Sequence, residues 1–256
     1  MNTHIWTEYF RGNLCNFQEP PLPPGGCKLP AWLRLPLTRS LAIFQLGESG
    51  GGTRLMRYVR RVVAEEQLRG YENAVALFIA EEQYHAEMLG RVVDYLGGTR
   101  LEKQWSNSAF RWLRNRMGVE FNIQILLVAE LIAEIYYALL HRRCGDAAIR
   151  ACCLKILRDE MRHIAFHAEF LRERLATMAP WRRALWCAQF RIFHSAACIV
   201  VAWDHRGCLK ALGVGPLDFL KQANGPIRRF LRRLEKPSSL WTVPASTLAT
   251  TSPASP

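Results

Sequence analysis

The 256-residue chain predicts an all-α protein, on three observations. No stretch alternates apolar and polar residues with the period of two that a half-buried strand needs, while apolar residues recur at three- and four-residue spacing in run after run. The runs are separated by helix-ending glycines, as at Gly50-Gly51-Gly52, Gly97-Gly98 and Gly213-Val214-Gly215. One run, residues 119–140, is apolar almost all the way round, which marks a helix buried among others or a membrane span. Half of the residues are hydrophobic, and the length suffices for one sizeable domain or two small ones, each with a real core.

Taken in order, residues 1–36 form a Pro/Gly-rich N-terminal segment, expected to be poorly ordered because Glu19-Pro20-Pro21-Leu22-Pro23-Pro24-Gly25-Gly26 opposes regular structure. A helical domain is expected over 37–235. Its first helix starts near Pro36–Thr38, carries Leu41, Ile43, Phe44, Leu46 and Glu48, and meets three glycines. At about 1 kcal/mol each against alanine, these either break the helix, which restarts with Thr53 as its cap, or mark a close backbone approach. An amphipathic stretch follows from Leu55 to Val63, then a polar connection around 65–70 and a helix from about Tyr71 to Leu96 closed by Gly97-Gly98. A short helix is expected at Ala109–Met117, followed by the buried run, where Glu130 and Glu134 argue against a bilayer. Cys144-Gly145-Asp146 turns the chain into a helix over about Ala147–Met178. Accessory helices are expected at Pro180–Asp204, whose densest apolar run is too short to span a bilayer, and at Pro216–Ala223 and Pro226–Leu234. The Pro/Ser/Thr-rich residues 236–256 read as a disordered tail.

The chemistry-bearing stretch is Leu157–His167, LRDEMRHIAFH, which holds Glu160 and His163; Ala80–Leu89, AEEQYHAEML, repeats the pattern with Glu82 and His85. Positions i and i+3 share a helix face, so each segment offers a carboxylate and an imidazole pointing the same way. Glu-x-x-His is common enough that two surface pairs would explain it, but four features go further. An acid precedes each glutamate, Glu81 and Asp159, one turn before the following histidine, where a carboxylate can accept the N–H of a metal-bound ring. The most apolar helix carries Glu130 and Glu134, and a buried carboxylate needs a partner. Glu130 and Glu160 are each 15 residues from Gly145, hence at equal depth in a hairpin, with Glu134 about one turn off that level as an outer-shell or substrate-side group. Glu48 is the sole acid between Glu19 and Glu65, and it lies 34 positions before Glu82. The predicted ligands are therefore Glu48, Glu82, His85, Glu130, Glu160 and His163, with Glu82 and Glu160 bridging two metals. Four carboxylates and two imidazoles suit iron or manganese better than structural zinc.

The segments LGES, FIAEEQYHAEML, LLVAELIAEIYYALL and LRDEMRHIAFH resemble the ferritin-like di-iron-carboxylate superfamily over about residues 38–178, and look most like its little-characterised bacterial members. The resemblance implies an antiparallel four-helix bundle with additional C-terminal helices after Met178. It also implies two iron ions (Fe/Fe or Mn/Fe) that activate O2 to oxidise a small organic substrate, with electrons from a separate reductase. Iron oxidation and storage or peroxide detoxification, and tRNA hydroxylation, are the alternatives. A rubrerythrin-type protein is disfavoured because no cysteine quartet of rubredoxin spacing occurs.

The net charge of +12 admits RNA, a membrane surface or acidic ligands, but no nucleic-acid-binding signature accompanies it and DNA is not expected. The eight cysteines include no C-x-x-C pair and the N-terminus carries no signal peptide, which reads as reduced thiols in a cytoplasmic protein. A homodimer is the oligomer left open. His167 is read as a core or surface residue before a third imidazole, Tyr84, Tyr136 and Tyr137 as packing before radical carriers, and Trp203-Asp204-His205-Arg206 as a helix cap with an ion pair. Arg228, Arg229, Arg232 and Arg233 read as a solvated basic face. There is no Ser/His/Asp order, phosphate loop or H-E-x-x-H helix.

Overall fold

Asn2 starts the first element: its side chain accepts from the Ile5 N–H at 3.2 Å and caps α1 (Thr3–Cys15). The structure, a computed structural model, describes residues 1–50, 52–66, 70–114 and 119–235; the expected tail at 236–256 and part of the polar connection lie outside these. The N-terminal segment is thus not poorly ordered as expected. Phe10 is fully buried against Phe78 and Phe166, with ring centroids 6.2 and 5.2 Å away, and Trp6 Nε1 donates to Glu169 at 2.8 Å. The run from Pro20 to Gly26 lies in the connector after α1, which is itself pinned where the Cys27 N–H donates to the Tyr95 carbonyl at 3.0 Å.

The next helix, α2 (Ala31–Glu48), begins earlier than expected and runs through Pro36, with Leu33, Leu37 and Leu41 buried along one face. A proline this near the N-terminus removes only one intrahelical bond. The chain does break at the glycines, and α3 (Thr53–Glu66) follows Gly52, whose φ of +61° suits glycine. A Cβ there would also lie 2.4 Å from Ile79 Cδ1, a side-chain contact rather than the close backbone approach that was the other expectation. Beyond it, α4 (Tyr71–Tyr95) ends in a left-handed Gly97, with the Gly98 N–H returning to the Val93 carbonyl at 3.0 Å.

After α5 (Trp105–Arg114), α6 (Val119–Arg143) and α7 (Ala147–Ala176) form a hairpin around the predicted turn, with Asp146 capping α7 by accepting from the Ile149 N–H at 3.0 Å. The chain closes with α8 (Pro180–Asp204), α9 (Arg206–Ala211) and α10 (Pro216–Glu235). Two short helices were expected where α10 is continuous through Pro226. Phe219, Ala223, Ile227, Phe230 and Leu234 keep one apolar face across the proline, and burial of that face outweighs the lost bond.

No strand occurs among the described residues. Helix α2 pairs with α4, α6 with α7, and α4 faces α7 across the interior; α1 lies on α4, and α10 packs on α6, α7 and α8. Helices α6 and α8 are each long and apolar enough to cross a membrane by length and composition alone, but 78% of the apolar stretch of α6 is covered by protein, against 22% in α8.

Truncating Phe10 tests the docking of α1. Phe10→Ala should cost about 3–5 kcal/mol, the usual range for a buried phenylalanine, in urea unfolding; a loss under about 1 kcal/mol would mean that α1 is not part of the core.

Candidate metal centre

The two Glu-x-x-His segments lie on α4 and α7, facing each other. Glu82, His85, Glu160 and His163 each offer one ligand atom, all within 4.8 Å of one another, so the four could hold a metal ion. His163 Nδ1 is 2.8 Å from Glu82 Oε1 and 3.6 Å from Glu160 Oε2; His85 Nδ1 is 3.6 Å from Glu160 Oε1 and 3.8 Å from Glu82 Oε1. Both rings are fully buried.

The far nitrogens explain this orientation. His85 Nε2 donates to Asp159 Oδ2 at 3.0 Å and His163 Nε2 to Glu81 Oε2 at 2.8 Å. The sequence reading had each acid serving the histidine one turn along its own helix; instead each serves the histidine of the facing helix. On a helix, Cβ vectors four residues apart run nearly parallel, so an acid cannot reach behind its own neighbour, but it can reach the back of a ring that enters from across the gap. A carboxylate only accepts, so each Nε2 carries a proton, and each Nδ1 turns toward the cluster, where it can ligate once it gives up its own proton. Those two nitrogens, together with Glu82 Oε1 and Glu160 Oε2, have no hydrogen-bond partner, although they are buried. Two ring nitrogens converging on carboxylate oxygens in a buried site are an arrangement that a cation can hold in place of protons, and the donor set fits one.

Sequence reasoning missed Asn13. Its Nδ2 donates both to Glu81 and, at 3.2 Å, to Asp159, joining the two orienting carboxylates beneath α1. Lys155 pairs with Asp159 as well. The signal was present in Asn2 followed by Trp6, Tyr9 and Phe10 at helical spacing, but the proline-rich connector masked it.

The remaining candidates fall around this core. Glu48 is the last residue of α2; it accepts from the Tyr137 hydroxyl at 3.2 Å and approaches Glu82. Glu130, on α6, is buried with both oxygens unpartnered, and its Oε1 is 3.4 Å from His167 Nε2. His167 is thus a buried neighbour of the cluster. Glu134 does not reach the cluster: it lies one turn further along α6, where Arg229 of α10 takes its carboxylate. Of the other singled-out residues, Tyr84 is exposed and stacks on Phe17, and Tyr136 is buried and bonded to Ser40 at 2.5 Å. His205 bonds Ser40 at 2.6 Å, while Asp204 accepts from Gln104 and Ser106 rather than from an arginine.

Electrostatics follow the burial. Burial pushes Glu48 and Glu130 well above the usual carboxylate range, with Glu82 and Glu160 adding to it. Burial also pushes Glu82 up, but the adjoining His163 and His85 overcome it and hold the carboxyl at about 2. Burial lowers His85, yet Asp159 and Glu160 raise it to about 9; His163 is likewise driven well above the ordinary value, chiefly by Glu82 against the cost of burial. His167 is pushed down to about 3 by burial and by His163.

A cavity of about 360 Å³ abuts the cluster. Glu48, Glu82, Glu130 and Glu160 form its polar end, and the rest is mainly apolar, including Phe78, Val128, Ala133, Phe193 and Val201. His85 and His163 do not line it, though His205 does at another part of the wall. Any group held between the carboxylates therefore meets the cavity on the side away from His85 and His163. No family model, curated protein or solved structure matches the chain.

Metal loading gives a direct test. Manganese(II) at a hundred times its dissociation constant should stabilise the fold by about 2.7 kcal/mol, raising the Tm by roughly 5–10 °C. Chelation should reverse the shift, and His163→Ala should abolish it; equal shifts in wild type and variant would place the metal elsewhere.

Proposed function

We propose that the chain is a dinuclear metal-carboxylate oxidase or oxygenase of the ferritin-like superfamily, holding two iron ions, or manganese and iron, and oxidising an organic substrate bound in the cavity. The observation that carries this reading is the junction of a buried Glu/His cluster with a mainly apolar cavity that reaches the surface. Iron storage needs a path for ions rather than an apolar chamber at the carboxylates, and a nucleoside would leave its polar edges unpaired against that lining.

Glu48, Glu82, Glu130 and Glu160 would supply the oxygens that hold the metals, and His85 and His163 the nitrogens. Two ferrous ions, when bound, supply the two electrons that reduce O2. The protein does the rest. Asp159 and Glu81 hold the ring protons on Nε2 and so keep Nδ1 free to ligate. The apolar walls exclude water and bring a substrate C–H against the carboxylate side of the centre. Tyr137, donating to Glu48, sets the orientation of that carboxylate. Each further turnover draws two electrons from a separate reductase. The eight cysteines are free, which suits a reducing, cytoplasmic setting.

Protein from iron-supplemented cells should contain close to two equivalents of iron per chain, and anaerobic Fe(II) loading followed by O2 should oxidise both with a transient visible absorption. One equivalent, or a spectrum that never changes, would sink the reading. Asp159→Asn should weaken metal binding about 10–100-fold, as loss of an orienting carboxylate does elsewhere, when measured by chelator competition.

A further inference from the structure

The outward face of α8 is apolar along its whole length. Trp181, Leu185, Ile192, Ile199 and Trp203 follow one another at 4, 7, 7 and 4 residues, one stripe of a helix, and each is between 59% and 67% exposed. Ala188 and Ala196 fill the gaps and are exposed too. An unbroken stripe about 33 Å long at 1.5 Å per residue differs from the scattered apolar residues of an ordinary surface. The helix of comparable apolarity, α6, is covered by protein and α8 is not.

Charge decides what covers it. The only charged side chains on the exposed face are Arg182 and Arg191, with Arg206 just beyond the C-terminal end, its guanidinium 4.5 Å over the Trp203 ring. The single acid of the helix, Asp204, is occupied by Gln104 and Ser106. Pairing two copies of this face would press arginine against arginine near Ile192, with no carboxylate to separate them. An anionic lipid surface neutralises the same charges, accepts the aliphatic stripe, and suits a tryptophan at each end, where the indole sits at the headgroup boundary.

The cavity supplies a second, independent observation. Its lining includes Ala196 in the middle of the stripe and the exposed Trp105, Ala109 and Arg111 of α5, so part of its wall reaches the surface at α5 and α8 on this same face. A mouth surrounded by apolar surface and arginine faces lipid more readily than water.

We infer that α8 lies flat on an anionic membrane surface, without crossing it, and that the cavity opens toward the lipid, from which a lipophilic molecule enters. The inference does not depend on the metal, and its test uses the full-length, metal-free protein. Sedimentation with vesicles of phosphatidylglycerol and phosphatidylcholine should pull the chain down. Pure phosphatidylcholine, or 0.5 M salt, should release it at least tenfold. Ile192→Glu with Ile199→Glu, both exposed positions, should abolish binding while leaving the circular dichroism unchanged. Arg182→Ala and Arg191→Ala should each weaken it about fivefold, the factor expected per surface arginine. Two results would overturn the inference: wild-type protein that stays in the supernatant with anionic vesicles, or a dimer that the double glutamate variant splits while vesicle binding is absent or unaltered.

Discussion

The crossed pairs between α4 and α7, Asp159 to His85 and Glu81 to His163, are the constraint on which the rest of the structure depends. Each joins the two central helices through a buried, charge-assisted hydrogen bond, and each fixes the tilt and tautomer of a ring whose other nitrogen faces the cluster. Burying four such groups is costly unless every one is satisfied. Asn13 and Lys155 complete the accounting from outside, which explains why α1 is docked over this spot rather than elsewhere on the bundle. Phe10, packed against Phe78 and 5.9 Å from the His163 ring, keeps water away from the same layer.

On the opposite side of the cluster the problem is inverted. Four carboxylates border an apolar chamber, and for two of them, Glu48 and Glu130, burial disfavours the charged form. The bundle therefore has a satisfied back and an unsatisfied front. The backs of the His85 and His163 rings are closed by hydrogen bonds; the carboxylates and the ring nitrogens facing them carry atoms without partners, with free volume beyond the carboxylates. A site built to bind a cation and admit a second molecule has this polarity, whereas a purely structural polar core would be satisfied on both sides.

The accessory helices complete the chamber. Helix α8 contributes Phe193 and Val201 to its wall, and α10 draws Glu134 away from it through Arg229. The extra C-terminal helices thus do more than cover the bundle: they determine the size of the cavity and remove one carboxylate from its surroundings. The membrane-facing stripe belongs to the same helix that walls the cavity, so docking and access are coupled through α8.

Much of this was legible in the chain alone. Helical periodicity and glycine stops define α4 and the α6–α7 hairpin, and the equal distance of Glu130 and Glu160 from Gly145 anticipates their shared depth, because rise per residue is a property of the backbone. The Glu-x-x-His spacing likewise puts each pair on one face without reference to anything else in the fold. What local spacing cannot encode is which partner lies across the gap. The exchange of Asp159 and Glu81 between helices, the reach of Asn13 from a segment that composition marks as loose, the diversion of Glu134 to Arg229 and the continuity of α10 through Pro226 all depend on distances between elements far apart in sequence. Residue types and the faces they share come from the backbone period, which the sequence determines by itself. The partners, the cavity and the uncovered side of α8 were decided only by tertiary packing, since burial and pairing are properties of two surfaces meeting.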